Sequence, residues 1–320
     1  MRPTSYSVPT RVCKEQHLNY LQWEGKIVNF QPRRLTQPLL LTPLLIFASF
    51  FSWSYLFAET AFNGCGGELV GVTNAANEAR VIELVNEQRA ANGLPPMKYN
   101  GDLTNAARYH AADMKQDDYF NHQTQDRSNG ALVRVCNWSD RLKKYYTVYN
   151  GLAENIAYGY SSPESVMEGW MNSSGHRANI LGNYRELGVG FIDNYWVQDF
   201  GDRDDSYPVI INREALQTAS PQVTLYIYGN WQQMRLRNDD DSWSDWQTFS
   251  QEVAWNLRNV GGERRVEVEL SNGATTVTTS DTIVLDSAAP TPAPTSAPTP
   301  APTVPPTDAK FFLYLPTAKR

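Results

Sequence analysis

The side chains best suited to chemistry in this chain are three histidines and one glutamate: His110, His122, His176 and Glu154. Imidazole changes charge near neutral pH and is also a common metal ligand. His176 stands in WMNSSGHRANIL, Trp170 to Leu181, directly after Gly175 and at the seam between two helix-like stretches. A glycine there lets the backbone turn without a Cβ penalty, so the ring can be aimed out of the helical register and into a cleft; the same pair also ends an ordinary helix. His122 follows Phe120 and Asn121 on a loop, and Glu154 lies in GLAENIAYG among small and apolar residues. Glu154 is either a strand-end hydrogen-bond acceptor or a member of a site. Two imidazoles, a carboxylate and a water form a sensible divalent-metal set, with Zn²⁺ the natural ion and otherwise no cofactor expected. The same groups would accept protons at neutral pH. Ser173 and Ser174 are near in sequence, but no motif ties a nucleophile to either ring, so no catalytic residue is assigned. His110 sits on an apolar helix face, where a buried, hydrogen-bonded imidazole is expected.

Helices and strands must position these groups. Val81, Leu84, Val85 and Gln88 recur at helical steps up to Asn92-Gly93, a C-terminal cap pair followed by Pro95-Pro96. A second helix is predicted from Asp102 as N-cap, with Leu103, Ala106, Ala107, His110 and Met114 on one face. A third starts at Ser162-Pro163 and carries Val166, Met167 and Trp170 inward. Leu187 to Ile192 and Tyr195 to Phe200 flank Asp193-Asn194, a two-residue hairpin signal. From Pro208 the pattern becomes short alternating segments with regular turns, the mark of an antiparallel sandwich. Residues 288–307 are almost wholly Pro, Thr and Ala, a stiff spacer. The predicted organisation is an export signal or anchor (1–61), a mixed domain (62–205), a β-sandwich (206–287), the spacer, and an apolar tail (308–320) with a basic end.

Composition narrows location and partners. Apolar residues at 41% and aromatics at 12% supply real cores. The net charge is −6; removing residues 1–61 takes away six basic and three acidic side chains and leaves 22 against 31. This is no surface for nucleic acid. Lys26, Arg33 and Arg34 precede the uncharged run Pro38 to Ala58, which reads as an export signal or, at 21 residues, an uncleaved membrane anchor. Membrane contact is expected only through that run. Cys13 and His17 precede it, leaving Cys65 and Cys136 as the exported cysteines, either a disulfide or two free thiols.

LVNEQRAANGLPPMKYN, AARYHAADM, YFNH, AENIAYG, WMNSSGHRANIL, ELGVGFI and YWVQDFG occur in order between about Asn77 and Gly201. In these motifs the chain resembles the CAP superfamily (cysteine-rich secretory, antigen-five and pathogenesis-related; SCP-like) in its short bacterial form. The resemblance implies an α+β fold: an α-β-α sandwich, here followed by a small all-β antiparallel sandwich. It also implies a cleft with two histidines and two acids, in which His122, Glu154 and His176 match three positions. Ala153 replaces the usual Gly before the glutamate, and Ser173 replaces the second glutamate, so metal affinity should be weak or absent. The segment MRLRNDDDSWSDWQTF, with VAWNL and TIVLDS, resembles immunoglobulin or fibronectin-like modules; Tyr226, Trp243, Trp246 and Trp255 are expected in its core rather than stacked on sugars. The implied protein is secreted or held at the cell surface and binds an extracellular ligand, whether cell wall, lipid or protein. Metal-dependent hydrolysis is the enzyme-class rival, and a structural wall-associated role the third reading.

Overall fold

The computed structural model describes residues 62–286. The segment Pro38 to Ala58, Cys13, His17, the Pro/Thr spacer and the tail lie outside them. Among the described residues no helix is long and apolar enough to cross a membrane.

Helix α1 (Ala75–Ala91) is capped by the Asn74 side chain and closes at Asn92, with Gly93 at φ 69°. Its face Val81, Leu84 and Val85 is buried as the periodicity requires; Gln88 is half-buried and Arg89 goes fully inside. Strand β1 (Lys98–Tyr99) leads into helix α2 (Gly101–Gln116). The N-cap of α2 is Asn100, not Asp102: the Asn100 carboxamide accepts the N–H groups of Asp102 and Leu103, and the helix starts a turn-fraction earlier. A hairpin unsignalled in the sequence reading follows, β2 (Thr124–Ser128) and β3 (Ala131–Cys136), joined by Asn129 and Gly130 at φ 50° and 82°. Helix α3 (Trp138–Leu142) and strand β4 (Gly151–Tyr158) come next.

Helix α4 (Pro163–Asn172) has the expected Ser162 cap, reinforced by a capping box with Ser165, and buries Val166, Met167 and Trp170. Helix α5 (Ser174–Ile180) follows at once. The break lies at Ser173, whose ψ of 120° leaves the helical region, and not at Gly175, which sits buried inside α5 without a positive φ. Strands β5 (Glu186–Ile192) and β6 (Tyr195–Asp202) form the expected hairpin, with Asp193 and Asn194 at φ 45° and 68°.

The sheet order is β1-β5-β6-β4, antiparallel except for β1 against β5. Helix α2 covers one face; α1 and α4 cover the other, and α5 packs on β4. Gly188 and Gly190 let α2 sit directly on β5: a Cβ on Gly190 would lie 2.4 Å from Ala107 C and Arg108 N, backbone atoms that have no rotamer by which to escape. The disulfide Cys65–Cys136 ties the segment before α1 to the end of β3.

The C-terminal part is two sheets around one apolar core. Strands β7 (Val209–Ile211), β9 (Gln222–Ile227) and β12 (Glu252–Asn256) form one; β8 (Gln217–Thr218), β10 (Gln233–Asn238), β11 (Gln247–Thr248), β13 (Gly262–Ser271) and β14 (Thr276–Leu285) form the other. The short β8 pairs parallel to β14, so the sandwich is not wholly antiparallel. The tryptophan expectation is corrected in part. Trp255 packs against the core, but β10 points Met234 and Leu236 inward and Arg235 and Arg237 outward. Trp243 and Trp246 cover those arginines, with the Arg235 guanidinium 4.7 Å from the Trp246 ring, and Trp246 remains exposed.

Candidate functional site

Alternation along β4 sorts its side chains: Leu152 and Ile156 join the cores beside α2 and α3, while Ala153 and Ala157 join the core beside α1 and α4. Glu154 shares the parity of Leu152 and Ile156. His122, on the loop after α2, brings Nδ1 to 2.7 Å from Glu154 Oε1. Arg141, from α3, donates Nη2–H to Glu154 Oε2 and Nη1–H to the His122 carbonyl (3.0 Å) and Thr124 Oγ1 (2.8 Å). Both carboxylate oxygens are thus committed, and neither Arg141 nor Glu154 reaches solvent.

Burial alone would push the Glu154 carboxyl up; the Arg141 guanidinium, foremost, and the His122 N–H overcome it and hold Glu154 well below the usual carboxylate range. Asp199, its register partner on β6, goes the other way: burial and the Glu154 charge push it well above the usual carboxylate range, against Arg141. His110 is the expected core imidazole, donating Nε2–H to the Asn121 carbonyl at 2.9 Å, and burial with the Arg141 charge keeps it neutral.

With Nδ1–H pointed at an ionised carboxylate, a neutral His122 presents its lone pair at Nε2, which has no protein partner. His176 stands near His122 rather than on Glu154. Its pKa is pushed down to about 4, chiefly by burial and then by the neighbouring His122, and its Nδ1 is unpartnered. Asn155 positions it: Asn155 Nδ2–H reaches the His176 carbonyl, and Asn179 donates to both Asn155 Oδ1 (2.8 Å) and the Glu154 carbonyl. The residues unrecognised in sequence are Arg141, Asp199, Asn155 and Asn179. The two asparagines sat inside AENIAYG and HRANIL; a buried arginine near β4 had no local signal. Ser173 Oγ is buried without a partner, and among the described residues no hydroxyl hydrogen-bonds to either ring.

Below the site, the carboxylates of Asp113, Asp117 and Asp126 approach within 4.8 Å of one another. Asp113 is fully buried, accepts the Tyr119 hydroxyl, and is pushed up to about 7 by burial and by the two acids, against Tyr119 and Arg141. Its folded value lies above its unfolded one, so its contribution to stability is whole below about pH 4 and is lost as pH rises through about 7. Asp113→Asn should therefore be more stable than wild type at pH 8, the gap closing near pH 4; urea unfolding at the two pH values checks it.

Residues 82–200 match the family model described as the cysteine-rich secretory protein family, CAP. An uncharacterized Bacillus subtilis protein, YkwD, is 37% identical over 129 residues, 39% of this chain and 47% of its own length. An uncharacterized membrane protein of the same organism, YlbC, is 34% identical over 125 residues, covering 39% and 34%. The chain thus spans less than half the length of either relative. A solved extracellular protein containing a SCP domain from Bacillus anthracis shares 30% identity over 40% of each chain, with a TM-score of 0.36. What the family model and these relatives share with the motifs described above is one segment, residues 82–200, which is similar to the cysteine-rich secretory protein (CAP) family.

Proposed function

We infer that this chain is an exported protein that binds an extracellular partner, with the cleft around His122 and His176 as its point of contact and a divalent metal, zinc by donor chemistry, held there by the two rings. The observation that carries this is the buried Arg141–Glu154–His122 chain, which fixes one imidazole and leaves its outer nitrogen without a protein partner. A ligating histidine commonly gives its other N–H to a carboxylate in this way. The donors such a metal would use are the two imidazoles, each with an unpartnered nitrogen, with Glu154 as the group that orients His122 and not itself a ligand. Ser173 in the place of an acid makes the affinity modest. Bound zinc would supply a Lewis acid for an incoming oxygen or nitrogen ligand; Glu154 and Arg141 orient the His122 ring, and burial holds His176 well below the usual imidazole range.

Export is supported by the basic-then-apolar leader and by the Cys65–Cys136 disulfide, which persists in oxidising compartments. The relatives named as extracellular or membrane proteins point the same way. We take the β-sandwich for an immunoglobulin- or fibronectin-like spacer module. Hydrolysis gains nothing from the geometry, since no hydroxyl is paired with an imidazole.

Zinc titration by calorimetry tests the site. Wild type should bind one equivalent, and His122→Ala/His176→Ala should lose at least 100-fold in affinity with unchanged circular dichroism. A wild type that takes up no zinc, or a double variant that binds it equally, overturns the metal site.

A further inference from the structure

A cavity of about 550 Å³, with neither His122 nor His176 in its lining, lies between the α1, α2 and β5 side of the N-terminal layers and strand β14 of the sandwich. Its volume is in the range of small-molecule sites, which favour domain junctions. Ala79, Ile82, Val189 and Ile283 give it apolar walls. The charges are unevenly answered. Arg108 is matched by Glu78 in a two-pronged pair, at 3.0 Å and 2.5 Å. Lys98 faces two acids, Asp281 and, at 2.8 Å, Glu214. Asp281 also accepts the N–H groups of Ile211 (2.7 Å) and Thr282 (2.8 Å), so it is saturated. Glu214 shares Lys98 with Asp281 and takes one further donor, the Tyr99 N–H; burial and Asp281 push it up to about 7 despite both. Thr104, 2% exposed, lines the same cavity with an Oγ1 that meets no partner. Glu263 and Tyr99 complete the titratable lining.

The backbone that delivers Glu214 is strained. Asn212, Arg213 and Glu214 all lie in the left-handed region, at φ 43°, 60° and 67°, and none is glycine. Such conformations persist only where the surroundings hold them. Here Asn86 donates to the Arg213 carbonyl at 2.9 Å, and Glu83 accepts the Leu216 N–H at 3.0 Å.

We propose that this interdomain cavity binds a small organic cation, an ammonium group carried on a short apolar body, with the charge against Glu214 and the body between Ile82, Val189 and Ile283. The cation answers the second negative charge of an acid pair that has only Lys98 between its members, the unused Thr104 hydroxyl supplies a hydrogen bond, and the apolar walls bury the carbon chain.

The full chain is titrated with n-hexylammonium at pH 8, with 1-hexanol as the uncharged counterpart, by calorimetry. The ammonium should bind saturably and at least tenfold tighter than the alcohol. Glu214→Gln should lose that tenfold preference, and Ala79→Phe, which fills the cavity, should abolish binding of both. His122→Ala/His176→Ala should bind as wild type does, which separates this site from the zinc cleft. Equal binding of amine and alcohol, no binding of either, an unaffected Glu214→Gln, or loss in the histidine variant overturns the proposal. If Glu214→Gln does not fold, Ala79→Phe decides: a variant that still binds the amine overturns it.

Discussion

Arg141→Met should destabilise the protein by about 3–5 kcal/mol, because it strands a buried carboxylate without its counter-charge. Arg141 is fully inside, and its guanidinium serves three acceptors from three places: Glu154 on β4, the His122 carbonyl and the Thr124 hydroxyl. Methionine fills much of the space but none of the acceptors. Glu154 must then bind a proton or drag in water. Wild-type Glu154 is depressed, so its contribution is present above its unfolded value and is lost as pH falls towards the folded one. In the variant Glu154 no longer has that support and should favour the protonated form. The cost should accordingly be larger at pH 7 than at pH 4. Arg141→Met/Glu154→Leu, which removes both charges, should recover much of the loss, since a paired buried charge is worth far less than an orphaned one is harmful. Urea unfolding at both pH values reads all three species. A loss under about 1 kcal/mol for Arg141→Met at pH 7 would mean that the pair is hydrated and not the buried anchor described above.

The second large effect belongs to the disulfide. Cys65 and Cys136 are 71 residues apart, and closing a loop of that size restricts the unfolded chain by about 4 kcal/mol. Cys65→Ala/Cys136→Ala should lose about 2–4 kcal/mol, and reduction of the wild type should do the same. The folded protein should survive, because other contacts hold the leading segment: Gly64 N–H on the Asp126 carboxylate, the Tyr109 hydroxyl on the Gly64 carbonyl, and Gly67 N–H on the Tyr145 hydroxyl. Denaturant unfolding of oxidised and reduced protein measures it. A midpoint unmoved by reduction would show that the bond contributes nothing to the folding equilibrium.

The parts of this fold that were legible beforehand are those written in short-range pattern. The apolar step of α1, the Ser162-Pro163 start of α4 and the Asp193-Asn194 hairpin depend on φ and ψ preferences within a few residues, and the structure places each where the spacing does. The Gly175 reading failed for an equally local reason. A glycine permits a break without requiring one, and Ser173, which takes the extended conformation between α4 and α5, separates the helices first. Trp243 and Trp246 were misplaced because composition cannot tell a core aromatic from one lying over an arginine ladder; only the pleat of β10 decides which side they meet.

By itself, then, the sequence determined helices α1 and α4 and the hairpin of β5 and β6, and it offered His122, Glu154 and His176 as candidate groups for chemistry. The tertiary structure alone decided what each can do. Arg141 commits both oxygens of Glu154 jointly with His122, burial and the Glu154 charge push Asp199 up across the strand from it, His176 stands by His122 and not by the acid, and Glu214 and Asp281 share Lys98 beside a cavity. The reason is physical: helix and strand patterns are encoded by neighbours along the chain, whereas the charge state and free valence of a buried group depend on what is packed against it through space.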